Sequence, residues 1–301
     1  MIGLQSCKES KKNIENPLEG EITITADESL QPIVEAQIMS YNAHYPKAKI
    51  ITKYVPEQIA MNLMMNDSAD IAIVTREFNK TEREYFAKRN IQYLPAKMAL
   101  DGVALISNKE SSYKKITLNE LKEVLEGTST KGLKLVFDNS SSSNLNVLID
   151  KLKIKNLSKT NIYAANGNKD VVELIKKNKN AIGVIGNTWI SDKDDRLSKE
   201  ILNSVTVLEV SENGKDFYRP NLSNLKARKY PLERKIILHT KQHYGMSKGF
   251  TRFCCSQVGQ LVVEKAGLLP YYMYAKQVVV DKKSVEDLQK DEKIATEKLL
   301  N

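Results

Sequence analysis

Residues 22–41 read ITITADESLQPIVEAQIMSY. Ile22-Thr-Ile-Thr25 alternates β-branched apolar and hydroxyl residues, the period of a strand. Asp27, Glu28 and Ser29 then offer oxygens to cap a helix N-terminus, and Pro32 suits a first helical turn. Leu30, Ile33, Val34, Ile38 and Tyr41 fall on one helical face. The stretch is therefore strand, tight turn, amphipathic helix.

The same alternation continues outward. Residues 49–55 read as a second strand, 57–65 as a helix, and Asp70-Ile-Ala-Ile-Val74 as a short buried strand. Strands alternating with helices imply a parallel sheet with helices on its faces. Val103-Ala-Leu-Ile106 is the next strand, and a second block begins near residue 108. There Thr117-Leu-Asn-Glu120 forms a capping box, with Ile116 and Leu121 placed as a hydrophobic staple. Strands at 134–137, 161–164 and 181–185 alternate with helices near 145–152 and 169–177. Residues 192–229 read as polar and irregular, with 205–210 able to pair in a sheet. Arg234-Lys-Ile-Ile-Leu-His239 is a strand. One long helix is expected over 250–266, closed by Gly267 with Pro270 behind it. The charged tail from 281 contains a segment, 285–300, patterned as an amphipathic surface helix.

Composition narrows the function. The 301 residues suggest about two domains. Apolar residues make up 41% and charged residues 28%, an ordinary globular balance. No apolar run reaches the ~18–20 residues that span a bilayer. The 46 Lys and Arg exceed the 37 Asp and Glu, giving +9. These cations are interleaved with acids, with no basic helix stripe and no aromatic stacking motif, which argues against a nucleic-acid partner. The three cysteines do not make a disulfide framework, because Cys254 and Cys255 are adjacent and Cys7 lies in a polar tail. Helical spacing puts Cys254 and its neighbour in core packing. Leu4-Gln-Ser-Cys7 resembles the end of a bacterial lipoprotein signal, with 8–20 as a polar tether, although the apolar stretch of a secretion signal is missing.

Candidate site residues gather at strand ends. Asp138-Asn-Ser-Ser-Ser-Ser-Asn144 puts hydroxyls and backbone N–H groups at a helix N-terminus, where an anion is favoured. Ser29 stands at the same kind of junction in the first block. Thr75 and Arg76 follow a buried strand at its carboxyl end, where ligands collect in open parallel sheets. Arg76 offers paired donors and a positive charge to an oxyanion. Asp101 places a carboxylate at another strand end. Such a set suits an oxyanion that keeps a proton: phosphate fits, whereas a fully ionised sulfate meets repulsion.

Several segments, in consistent order over about residues 20–275, resemble the PstS-type phosphate-binding proteins of bacterial phosphate ABC importers. Asp70-Ile-Ala-Ile-Val-Thr-Arg76 resembles that family's D-I-G-x-x-S-R segment. Asp101-Gly-Val-Ala-Leu-Ile-Ser-Asn108 resembles its hinge strand, and Val136-Phe-Asp-Asn-Ser-Ser-Ser142 its R-x-D-G-S-G-T phosphate loop. Ala165-Asn-Gly167, Ala181-Ile-Gly-Val-Ile-Gly186, Tyr230-Pro-Leu-Glu-Arg234 and residues 250–270 match further motifs. Val136 replaces the loop's arginine, and Asn139 and Ser141 replace its glycines, which leaves Arg76 as the main cation.

The resemblance implies an α/β periplasmic binding protein of type 2: two lobes, each a mainly parallel sheet flanked by helices, joined by two hinge strands. Lobe one would comprise 20–106 and 230–301, lobe two 107–229, with 1–19 a tether. Phosphate would be held by Ser29, Leu30, Thr75, Arg76, Asp101, Asn139, Ser140, Ser141 and Ser142, then handed to ABC permease subunits. The protein would be a monomer at the periplasm or cell surface, lipid-anchored through Cys7, with no cofactor and no metal. A binder of another oxyanion and a phosphate-sensing lipoprotein are the alternatives. An enzyme is disfavoured: the chain lacks a Gly-x-Ser-x-Gly elbow, a P-loop and Gly-x-Gly-x-x-Gly. His239 and His243 straddle a strand end without acidic ligands, and His44 reads as surface.

Overall fold

The computed structural model describes residues 16–241 and 244–274. Cys7, His243 and the segment 285–300 lie outside the described residues. The first lobe opens with β1 (Gly20–Asp27), α1 (Gln31–His44), β2 (Ala48–Val55), α2 (Glu57–Met65), β3 (Ile71–Val74) and α3 (Lys80–Lys88). β4 (Ala96–Asn108) leads into β5 (Lys115–Thr117), α4 (Leu118–Glu126), β6 (Lys134–Phe137) and α5 (Ser143–Leu152). Then come β7 (Ile162–Ala164), α6 (Asn168–Lys177), β8 (Ala181–Gly186), α7 (Arg196–Ser204), β9 (Val205–Val207), β10 (Glu209–Ser211) and α8 (Leu222–Lys226). The chain returns through β11 (Glu233–Thr240), α9 (Gly245–Cys255), α10 (Gln257–Lys265) and β12 (Leu269–Pro270).

The strands run in the order β2-β1-β3-β11-β4-β8-β6-β7, with β9 and β12 also on β4. β2, β1 and β3 are parallel, as are β8, β6 and β7. The strands between these two groups are antiparallel: β11 to β3 and β4, and β4 to β8. β4 therefore belongs to both halves. Its residues up to Gly102 pair with β11, and from Val103 onward it pairs with β8 and β9. The backbone passes back beside it at Leu232, whose carbonyl accepts from Val103 N–H. This is the expected two-lobed α/β architecture, with the mainly parallel character broken where the chain crosses.

Each group of strands is covered on both faces. In the first lobe Ile24, Leu30, Ile33, Tyr41, Phe250 and Cys254 form one core, and Met61, Met64, Phe78 and Phe86 the other. In the second, Leu121, Leu135, Phe137 and Ile182 pack on one face and Val136, Val171, Ile185 and Trp189 on the opposite one. Cys254 is fully buried and Cys255 half-buried, and both are free thiols.

Three expectations are corrected. The helix over 250–266 is two helices, broken at Ser256, whose extended backbone and side chain cap α10 by accepting from Gly259 N–H. Apolar spacing survives the break because both helices cover the same sheet face. Residues 192–229 are not all irregular, since Asp195 caps α7 and Asn221 caps α8, while the expected pairing over 205–210 is present as β9 and β10. Finally α3, absent from the sequence reading, starts at an Asn79/Glu82 capping box in a segment of low mean hydropathy. Among the described residues no helix is long and apolar enough to cross a membrane.

Candidate functional site

β1 ends on Asp27, a buried aspartate that cannot reach water. Its Oδ1 caps the following 3-10 turn (Glu28–Leu30), accepting from Ser29 N–H at 3.0 Å and from the Ser29 hydroxyl. α1 follows at once, with Pro32 in its first turn. Leu30, expected beside the ligand, has its side chain in the first-lobe core.

β6 leads directly into a second buried aspartate, Asp138, the residue after its last. Ser142 caps α5 and donates its hydroxyl to Asp138 Oδ1, and Asn144 Nδ2 donates to the same oxygen at 3.4 Å. Asn139 is half-buried, and Ser140 and Ser141 are exposed on the outside of the turn, where Asn139 Oδ1 accepts from Ser141 N–H. The serine run thus divides in the middle. The serine that reaches the other lobe is Ser143, which was not among the expected residues. Its hydroxyl donates to Asp27 Oδ1 at 2.9 Å and lies 3.3 Å from Ser29 Oγ.

The third contributor is Arg234 on β11, directly across the ladder from Asp101 on β4. Both side chains are essentially inaccessible, and Nε and Nη2 of Arg234 each lie 2.9 Å from Asp101 Oδ2. Nη1 donates to Ser29 Oγ at 3.0 Å and Asn144 Oδ1 at 2.9 Å, with Ser143 Oγ at 3.4 Å. One guanidinium therefore ties both lobes to the crossing strands. Arg234 closes the Tyr230–Arg234 motif but is not among the residues expected in the site. The strand gave little warning, since Arg234 stands between Glu233 and Lys235 and only the fold distinguishes the buried charge from its two neighbours.

Arg76, expected as the main cation, is committed elsewhere. It grips Glu82 with Nη1 and Nη2 at 2.7 and 2.8 Å, and its Nε lies 3.5 Å from Glu57 Oε2. The cause is α3, whose capping box brings the Glu82 carboxylate to Arg76. Thr75 donates its N–H and hydroxyl to Glu57 Oε1, both at 2.7 Å. His239 stacks on Phe78 and donates from Nε2 to the Arg76 carbonyl at 2.9 Å. Burial lowers it to about 4, so it is neutral at pH 7. Among the described residues no cluster of three His, Cys, Asp or Glu side chains could hold a metal ion.

The lobes meet by further direct bonds. Glu28 accepts from Asn168 N–H at the start of α6 at 3.2 Å and from Asn168 Nδ2. Thr188 donates its hydroxyl to the Ser29 carbonyl at 2.7 Å. Gly186, which ends β8, lies so close that a Cβ would sit 2.3 Å from that carbonyl, hence no larger residue fits here. Carboxyl groups dominate the electrostatics. Burial pushes Glu28 up to about 7, with Asp138 and Asp27 adding to the rise. Burial and then Asp27 push Asp138 up to about 6, and burial also raises Glu57. On the open side, Thr75, Leu100 and Lys235 face Val147 and Lys151 of α5 across a cleft of about 710 Å³.

Residues 11–258 match the family model described as the PBP superfamily domain. The chain is 23% identical over 239 residues to the phosphate-binding protein PstS of Staphylococcus haemolyticus, covering 75% of this chain and 72% of that one. It is 24% identical over 266 residues to the protein of the same name from Borreliella burgdorferi, covering 82% and 89%. Among solved structures, a phosphate ABC transporter substrate-binding protein from Clostridium perfringens with bound phosphate superposes with a TM-score of 0.71. It shares 21% identity and covers 84% of this chain and 100% of its own.

Proposed function

This chain belongs to the PBP superfamily, and on that premise we propose that it captures inorganic phosphate between its lobes and delivers it to an ABC permease. The observation that carries the reading is the convergence of Ser29, Ser143 and Arg234, from three separate elements, at the carboxyl ends of β1 and β6. Hydroxyls and a guanidinium are the donors a tetrahedral oxyanion requires. Relatives named phosphate-binding proteins, matched over most of their length, support the choice of ligand.

Residues 20–106 with 230–301 form one jaw in this proposal and 107–229 the other, hinged on β4 and the return into β11. Ser29 and Ser143 are too close for an anion to lie between them, so the lobes must part to admit one. Arg234 takes the role that the sequence assigned to Arg76, with Asp101 holding it in place. Capture and hand-over involve no bond-making, so the protein is not an enzyme in this reading. We place it outside the cytoplasmic membrane as a monomer, held by lipid on Cys7. Finding Cys7 unmodified in the native protein by mass spectrometry would sink the anchor.

A thermal-shift panel of phosphate, sulfate, molybdate and a phosphomonoester at low salt tests the ligand. A ligand that binds only the folded state adds about 2.7 kcal/mol of stability at a hundredfold excess over its Kd. Phosphate is expected to raise Tm more than the other three. A larger shift with molybdate or the ester would reassign the ligand, and no shift with any of them would end the oxyanion reading.

A further inference from the structure

The donors at the lobe junction are already serving an anion that belongs to the chain. Asp27 Oδ1 accepts from Ser29 N–H, the Ser29 hydroxyl and the Ser143 hydroxyl of the opposite lobe, much as one oxygen of a bound oxyanion would. Its Oδ2 is buried with no hydrogen-bond partner. Glu28, the next residue, puts its carboxylate on the N-terminus of α6 across the gap, accepting from Asn168 N–H and Nδ2. Helix N-termini are where anions are favoured.

We infer that Asp27 and Glu28 act as a built-in anion, which closes the lobes by occupying the oxyanion's donors and so competes with the ligand and sets its affinity. The inference rests on the phosphate-capture reading above. It identifies groups that work against the ligand, whereas that reading concerns those that hold it.

The charges around this pair decide how the competition responds to pH. Asp138, just after β6, raises Glu28, and Asp27 raises both Glu28 and Asp138. Glu57 on α2 also feels Asp27 and is matched by Arg76, which is shared with Glu82. On the crossing strands Arg234 is matched by Asp101. α5 and α6 present Ser143, Asn144 and Asn168. Asp27, Glu28 and Asp138 are thus left without a cationic partner in the described contacts. Glu28 gains a proton near pH 7. It then accepts more weakly from Asn168 and no longer repels an incoming anion. Phosphate therefore binds more tightly as pH falls.

Isothermal titration of phosphate into the native protein and Glu28→Gln, at about pH 6 and pH 8, tests this. Uptake of one proton on binding changes affinity about tenfold per pH unit. Native affinity is expected to fall at least about tenfold from pH 6 to pH 8. Glu28→Gln should bind at least about fivefold more tightly than native at pH 8, with a flatter profile. A residue that only positioned α6 would give the opposite sign, with weaker binding in the variant. Small-angle scattering of the ligand-free proteins is the second readout, and a larger radius of gyration is expected for Glu28→Gln. If that variant does not fold, Asp27→Asn takes its place: its Oδ1 keeps the cap while the charge is lost, so tighter binding at pH 8 and a larger radius of gyration are expected, with a pH dependence retained through Glu28. Phosphate binding that is flat with pH and not improved by the variant would overturn this inference while leaving phosphate capture standing. No phosphate binding by folded native protein at either pH would overturn phosphate capture, and the inference with it.

Discussion

The carboxyl ends of β1 and β6 carry the same equipment: a buried aspartate, a serine that donates to it, and a helix that begins within a few residues. They differ in where the hydrogen bonds go. Asp138 is satisfied inside its own lobe, with Ser142 and Asn144 on Oδ1 and Asn139 Nδ2 on Oδ2. Asp27 is not, because one of its donors comes from the opposite lobe and its second oxygen has none. The connection after β6 is long enough to fold back on its aspartate, at the expense of two serines left in solvent. The tight turn after β1 has no such slack, so its aspartate completes its bonding across the gap. A short junction on one side and a long one on the other make the first lobe depend on the second.

The largest predicted effect strikes the group that both junctions share. Arg234→Met leaves Asp101 buried and unpaired and removes the donor to Ser29 and Asn144. Urea denaturation should show a loss of about 3–5 kcal/mol, and phosphate titration a loss of binding. Arg76→Met is the control for an arginine held within one lobe. It should cost about 2 kcal/mol through the lost bonds to Glu82 and leave phosphate affinity unchanged. Equal losses of binding in the two variants would break the distinction between them.

A smaller effect separates the two aspartates. Asp138 titrates near 6 in the fold against an ordinary 3.8, so the folded state holds its proton more tightly than the unfolded chain. Its contribution to stability is present below about pH 4 and is lost as pH rises through 6. Asp138→Asn removes that loss and should gain up to about 2 kcal/mol relative to native between pH 4 and pH 7. An unchanged stability–pH profile would show that Asp138 does not titrate in this range. The smallest effect is expected on the outside of the turn. The double change Ser140→Ala with Ser141→Ala should shift stability by less than about 0.5 kcal/mol and leave phosphate affinity unaltered. A tenfold loss of affinity would return those serines to the site.

Much of this architecture could be read from local pattern. The strand–turn–helix at 22–41, the capping box at Thr117 and the strand at 134–137 each depend on residues a few positions apart. α3 carries no clear apolar stripe because six of its nine residues are polar or charged, in KTEREYFAK, so only its cap announces it. The single helix over 250–266 was read through Ser256 because a cap inside a continuous apolar face looks like an ordinary helical position.

Local pattern is enough for most of the strands and helices, for the Thr117 cap and for the family to which they add up. These follow from spacings of two to four residues, which fix backbone conformation directly. Which charges are spent and which face the gap depends on contacts made only once the chain has folded. Arg234 meets Asp101 across 133 positions of chain and Ser143 meets Asp27 across 116, while Arg76 is taken by Glu82 only six residues on, through a helix that the apolar pattern hid. A buried charge goes to whichever partner the fold brings within about 3 Å, and no local spacing records that distance.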